Sequence, residues 1–416
     1  MREVTVVEAA LRRLESSRNE VVELMKEMLR IDAVNPSMGG RGEYRRAVFL
    51  ESFLKKSGMT VNRYDAPDSS VKEGVRPNFT STIEGRDNSR TLWVVTHLDT
   101  VPEGDKSLWE TSPFEPHIEN DMIFARGAED NGQSLVASVF ALKTISEIGE
   151  RVARFRFGIA CVSDEEAGSK YGARHLLSEG VFGKEDLMIV PDSGTPDGAG
   201  IEVAEKGVLW LKVTTTGRQA HASRPDKGLN AHRAGMKFVL ELDKLLHERY
   251  DARDELYDVP FSTFEPTKKE KNVDNINTIP GTDVVCLDLR VLPVYSLDNV
   301  LRDIMQAKLV AEKRLGVKID VEAIQSTRAG PPTSFDSPVV KQIREGLRVA
   351  RGIEAKTVGT GGQTVGNLFR LAGIQTAVWS TIDEVAHQAN EYCRIENLVN
   401  DAKVFAAAAL VQPERI

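Results

Sequence analysis

Apolar positions recur along this chain in two different rhythms. Over residues 6–31, Leu11, Leu14, Val21, Leu24, Met25 and Met28 fall at helical spacing with charges between them, which predicts an amphipathic helix. Short apolar runs follow, "TLWVVTH" (91–97), "RFRFGIACVS" (154–163) and "DLMIVP" (186–191), separated by helical stretches at 131–148 and 170–179. Runs of that length alternating with helices predict an α/β domain with a mostly parallel central sheet. Near residue 205 the rhythm changes. "GVLWLKVTTTG" (207–217) and "DVVCLDLRV" (283–291) alternate like half-exposed strands, helices are predicted at 230–248 and 297–315, and "VKIDVEAI" (317–324) completes an α+β unit. Inside that unit "EPTKKEKNVDN" (265–275) reads as a polar loop. The α/β character returns with a helix from Ser337 to Arg351 and the strand "QTAVWS" (375–380). The expected architecture is a discontinuous α/β domain, residues 1–205 and 327–416, interrupted by a smaller domain at 206–326.

A chain of 416 residues supports two domains of this kind. Its 62 acidic and 54 basic side chains give a net charge of −8, which offers no electrostatic footprint for nucleic acid. The first residues carry charges throughout, and no apolar run is long enough to span a bilayer, so a cytoplasmic protein without membrane contact is expected. Cys161, Cys286 and Cys393 are far apart and form no C-x-x-C pair, which argues against disulfides and thiolate zinc sites. Core thiols are the simpler reading.

The chemistry gathers where apolar runs end. "VVTHLDTVP" closes a strand with His97 and Asp99, two residues apart and on the same side of an extended chain, as a metal-binding histidine and its orienting carboxylate would be. "RGAEDNGQSL" puts Asp130 in a Gly-flanked turn before a helix, where capping is an equally good reading. "CVSDEEAGSKYG" ends another run with Asp164, Glu165 and Glu166, either a solvated turn or a cluster needing a cation. "MIVPDSG" contributes Asp192 and "IDEVAHQANE" contributes His387. Ligands of open α/β sheets collect beyond the carboxyl ends of the strands, so these side chains can converge. Two histidines and several carboxylates suit Zn²⁺, Co²⁺ or Mn²⁺. One ion cannot use them all, whereas two ions about 3.5–4 Å apart can share a carboxylate and leave another free as a base. Glu165 and Glu166 can then divide the labour, one holding metal and the other taking a proton. The Gly-rich stretch "GTGGQTVG" (359–366) does not spell G-x-G-x-x-G, so a backbone loop lining a substrate pocket fits better than dinucleotide binding.

The ordered segments "THLDTVPEGD" (96–105), "RGAEDNGQ" (126–133), "SDEEAGSKYG" (163–172), "VPDSG" (190–194), "GRQAHASRPDKGLNA" (217–231), "NTIPG" (277–281) and "DEVAHQANEY" (383–392) extend over nearly the whole chain. Together they resemble the acetylornithine deacetylase, succinyl-diaminopimelate desuccinylase and carboxypeptidase family of co-catalytic zinc hydrolases. The resemblance implies a zinc-exopeptidase-like catalytic domain with an inserted lid used for dimerisation, hence a homodimer. It implies two divalent ions, zinc with cobalt or manganese as alternatives. His97 and Asp192 would hold one, Glu166 and His387 the other, and Asp130 would bridge them. Glu165 would be the general base for water activated by both metals, Asp99 would orient His97 from behind, and His221 in "QAHASRP" would stabilise the oxyanion. Asn277 and Arg290 match positions that contact a substrate carboxylate, although Arg290 could equally make a structural ion pair. Gly361 and Gly362 would line the substrate pocket. The substrate would be a small N-acyl amino acid, with a dipeptidase or carboxypeptidase as the rival hydrolase and a metal- or peptide-binding protein without turnover as the rival outside catalysis. The chain departs from the family pattern in Asn131-Gly132-Gln133, where many members have Lys-Gly, and in lacking an aspartate after the Gly pair near 361.

Overall fold

The structure is a computed structural model that describes residues 3–149 and 151–412. The chain forms two units: the first holds residues up to Val203 together with Pro332–Thr357 and the chain from Thr364, the second Ala204–Pro331 and Val358–Gln363. The segment around Gly361 and Gly362 thus groups with the second unit, whereas the sequence reading put it in the returning part of the first.

An eight-stranded sheet organises the first unit, in the order Asn62–Arg63, Phe79–Ile83, Phe155–Val162, Asp87–His97, Leu187–Val190, Gln375–Val378, Gly200–Glu205 and Lys356–Thr360. The four central strands, Phe155–Val162 to Gln375–Val378, run parallel. Their neighbours Phe79–Ile83 and Gly200–Glu205 are antiparallel to them, so the sheet is mixed. Central strands covered on both faces need continuous apolar runs, which is why "FRFGIACV" and "LMIV" are buried along their length. On one face Trp93, Val95, Ala160, Val162, Met188 and Val378 pack on Leu176, Phe182, Val365 and Phe369. The helix Ser134–Ile148 is buried nearly all round and packs against Ile395–Leu410, which in turn packs against Glu3–Ser16 and Pro338–Arg351. The helix expected over 6–31 is two helices, Glu3–Ser16 and Arg18–Leu29, parted at the buried Ser17.

The second unit contains a four-stranded antiparallel sheet in the order Thr263–Lys269, Thr282–Val291, Gly207–Thr216 and Lys318–Thr327. The helices Ala231–Arg249 and Leu297–Leu315 bury Phe238, Leu242, Val300 and Ile304 with Leu209, Leu211, Leu287 and Leu289. Thr263–Lys269 overlaps the segment read as a polar loop. It is an edge strand whose last five residues are exposed, and its polarity and Pro266 suit an edge.

Candidate metal centre

The parallel strands set the position of the centre. Asp87–His97 lies between Phe155–Val162 and Leu187–Val190, and the chain visits the first of these neighbours before the second. This reversal opens a crevice beyond the carboxyl end of Asp87–His97, where the strand ends with His97. Glu165 and Glu166 follow Phe155–Val162, Asp192 follows Leu187–Val190, and Asp130 sits in the turn before the helix Ser134–Ile148. His387 comes from the loop after Gln375–Val378.

Asp130 is central. Its Oδ1 lies 2.8 Å from His97 Nε2 and its Oδ2 lies 3.0 Å from His387 Nε2. Asp192 Oδ1 is 3.1 Å from the same His97 nitrogen, and Glu166 Oε2 is 3.2 Å from that of His387. One ligand atom from each of His97, Glu165 and Asp192 lies within 4.8 Å of the others, and the same holds for His97, Asp130 and Glu166.

The electrostatics are those of a donor set with protons where a cation belongs. Burial opposes charge on His97, but Asp192, Asp130 and Asp99 outweigh it and hold its pKa well above the usual histidine range. Hydrogen bonds to Asp130 and Glu166 raise His387 to about 10. Burial pushes Glu166 to about 7, with Asp130 adding to it. Burial and then Asp192 raise Glu165 well above the carboxylate range. Glu166 Oε1 is buried with no hydrogen-bond partner among the described residues. An ion in the cluster would satisfy that oxygen and replace the protons, and nitrogen and oxygen donors without thiolate suit Zn²⁺, Co²⁺ or Mn²⁺.

Surrounding residues hold the donors. His97 Nδ1 lies 3.0 Å from the backbone carbonyl of Asp99 and 3.6 Å from the Asp99 carboxylate. The orienting task expected of the Asp99 carboxylate is thus shared with its backbone carbonyl, which lies closer. The carboxylate also accepts the N–H groups of Glu165 and Glu166, at 3.0 and 3.2 Å, and that of Asn35 Nδ2 at 2.7 Å. Asp164 turns to buried Arg76 and Asn35 and accepts the Tyr171 N–H. Asn131, noted in the sequence only for a missing lysine, donates to Pro191 O at 2.7 Å and to Asp192 Oδ1 at 3.1 Å.

The remaining predicted residues lie in the second unit. His221 is exposed, in a short ladder with Thr278, and its Nδ1 accepts from the Ser223 backbone N–H at 3.2 Å. A neutral ring must then carry its proton on Nε2. Asn277 is exposed, and its carbonyl accepts from Ala222 N–H. Arg290 grips Asp288 through Nε and Nη2, at 2.7 and 2.9 Å, and donates Nη1 to Gly361 O at 3.1 Å. The ion-pair alternative for Arg290 is therefore the one the structure adopts, and its fork is occupied. Gly362 N–H donates to Thr360 Oγ1. Sequence reasoning missed Asn35, Arg76 and two further acids, Glu129 and Glu391, that sit inside the quoted motifs beside Asp130 and His387.

Fold and donors define a class, the metal-dependent hydrolases built on an α/β sheet, and comparison with known proteins gives the family. The profile of peptidase family M20/M25/M40 matches residues 93–411, and the chain belongs to that family. An uncharacterized metallohydrolase of Methanocaldococcus jannaschii is 38% identical over 407 residues, covering 93% of this chain and 98% of the relative. A succinyl-diaminopimelate desuccinylase of a Sulfurovum species is 27% identical, covering 92% and 97%. Among solved structures, aminopeptidase PepT of Bacillus cereus shares the fold with a TM-score of 0.76 at 19% identity, covering 94% of this chain and 98% of that one. Among the described residues no helix is long and apolar enough to cross a membrane.

Proposed function

We infer that this metallohydrolase cleaves an amide bond in a small N-acyl amino acid, using two divalent ions per chain. The observation that carries the reading is Asp130, with one oxygen at His97 and the other at His387. In this assignment His97 and Asp192 would hold one ion and Glu166 and His387 the other, with Asp130 shared between them; zinc is the expected metal. Bound there, the ions supply Lewis acidity to the scissile carbonyl and lower the pKa of water towards about 7. Glu165 takes the proton of the attacking water and delivers it to the leaving amine, so its carboxylate ends the cycle unchanged. His221 offers its Nε2–H to the developing oxyanion, where one donor is typically worth about 3 kcal/mol. Asn277 and the backbone of Gly361 and Gly362 are the substrate contacts we retain. A homodimer formed through the second unit is the expected assembly, and light scattering tests it.

The relative named as a desuccinylase supports the acyl-amino-acid reading over an exopeptidase. Amine release from acetyl-, succinyl- and aminoacyl-amino acids, with Zn²⁺ or Co²⁺ and with or without chelator, decides between them. Chelator-sensitive turnover of acyl substrates is the expected result. Turnover confined to unmodified dipeptides would make the protein an exopeptidase, and silence in protein holding two metals would abandon the amide reading.

A further inference from the structure

Two buried carboxylates outside the donor set cross between the segments that carry Asp130 and His387. Glu129, immediately before Asp130, accepts the backbone N–H groups of Asp383, Val385 and Ala386 at 2.5, 2.6 and 3.0 Å, just ahead of His387. Glu391, in the loop that follows His387, accepts those of Gly127, Glu129 and Asp130 at 2.9, 2.9 and 3.0 Å, and Arg126 Nη1 at 2.6 Å. Each segment thus lends the other a carboxylate. Glu129 is 6% exposed and Glu391 is fully buried.

Both segments have irregular backbone. Gly127 has φ 80, Asp130 is non-helical, and Glu384, His387 and Asn390 have φ near 60. No ladder of strand or helix bonds fixes these N–H groups, so other acceptors must. A carboxylate, with two acceptor oxygens and no donor, can serve three converging N–H groups, whereas an amide brings a donor that meets them head-on. Two more acids beside an already acidic cluster add repulsion that packing alone would not favour.

We propose that Glu129 and Glu391 are positioning residues, a reciprocal clasp that sets His387 against Asp130 and so sets the affinity of the metal position those two residues share. The proposal rests on the assignment of Asp130 and His387 as ligands. The other position shares Asp130 but is otherwise held by His97 and Asp192, which take no part in the clasp, so it serves as the less affected reference.

The test is titration of chelator-stripped protein with Co²⁺, followed by calorimetry and by the visible absorption of bound cobalt, for wild type, Glu129→Gln, Glu391→Gln and His387→Ala. Wild type should bind two ions. Each glutamine variant should bind the ion at His387 about 10- to 100-fold more weakly, with its cobalt spectrum altered, and the ion at His97 and Asp192 with a distinctly smaller loss. If a glutamine variant does not fold, Glu129→Asp, which keeps the charge and shortens the reach, should weaken the ion at His387 more than the other. Variants that bind both ions like wild type and lose only thermal stability would overturn the clasp. Two ions bound unchanged by His387→Ala would instead overturn the ligand assignment beneath it.

Discussion

Asp164, Glu165 and Glu166 are adjacent in the chain yet face different partners. Asp164 meets Arg76 and Asn35, Glu166 meets His387, and Glu165 shares its surroundings with His97 and Asp192. Because Glu165 also has an oxygen within reach of the donor set, its role as base rather than ligand needs its own test. Replacing Glu165 by Ala should abolish turnover while metal analysis still finds two ions per chain; loss of an ion would make Glu165 the ligand. His221→Ala should lower kcat about 100-fold or more without changing metal content, the size expected for one oxyanion donor, and unchanged kcat would remove it from the mechanism. The candidate donors were legible in the sequence because they stand just beyond apolar runs or, for Asp130, in the turn that opens a helix. Glu129 and Glu391 were not, although both lie inside the quoted motifs. Their partners are backbone N–H groups more than 250 residues away, and pattern along one segment carries no information about the other.

At the scale of elements, the loop 163–172 closes on itself so tightly that only glycine fits at its end. A Cβ placed on Gly172 would sit 1.8 Å from the carbonyl oxygen of Ser163, which is itself anchored because Ser163 N–H donates to Asn78. Backbone, not a flexible side chain, must therefore move. Gly172→Ala should cost about 2 kcal/mol or more in thermal or denaturant unfolding, and the same shift of the loop should weaken metal binding through Glu166. Wild-type stability in that variant would show that the loop has slack. Periodicity located most elements, because buried strands and amphipathic helices advertise themselves through their apolar positions. It failed where burial does not follow the element: Thr263–Lys269 is an edge strand without a buried stripe beyond Phe264, and the two N-terminal helices keep one apolar phase across their break at Ser17.

Across the whole first unit, residues from His97 to His387 meet because parallel strands deliver their loops to one edge of a sheet, a rule that makes convergence legible without contacts. The helix Ile395–Leu410 then ties that edge to the core through Asp401. This fully buried carboxylate accepts Thr381 N–H, Thr381 Oγ and Gln133 Nε2, at 3.1, 2.8 and 2.8 Å, so it joins the end of the last parallel strand to the turn that begins at Asp130. Burial dominates its titration and raises its pKa from 3.8 to about 6, against the pull of those hydrogen bonds. The unfolded chain therefore releases the proton before the folded one does. Asp401 contributes its full stability below about pH 4, loses it as pH rises through 6, and stays less favourable above, by at most about 3 kcal/mol. Other carboxylates titrate in the same range, so the contribution must be isolated by difference. Asp401→Asn keeps an acceptor for the Thr381 and Gln133 N–H groups and a donor for Thr381 Oγ, but cannot ionise. Unfolding free energies measured from pH 4 to pH 7.5 should show wild type losing ground to this variant across the interval. A difference that is constant with pH would mean that Asp401 is charged throughout, and that the hydrogen bonds, rather than burial, govern it.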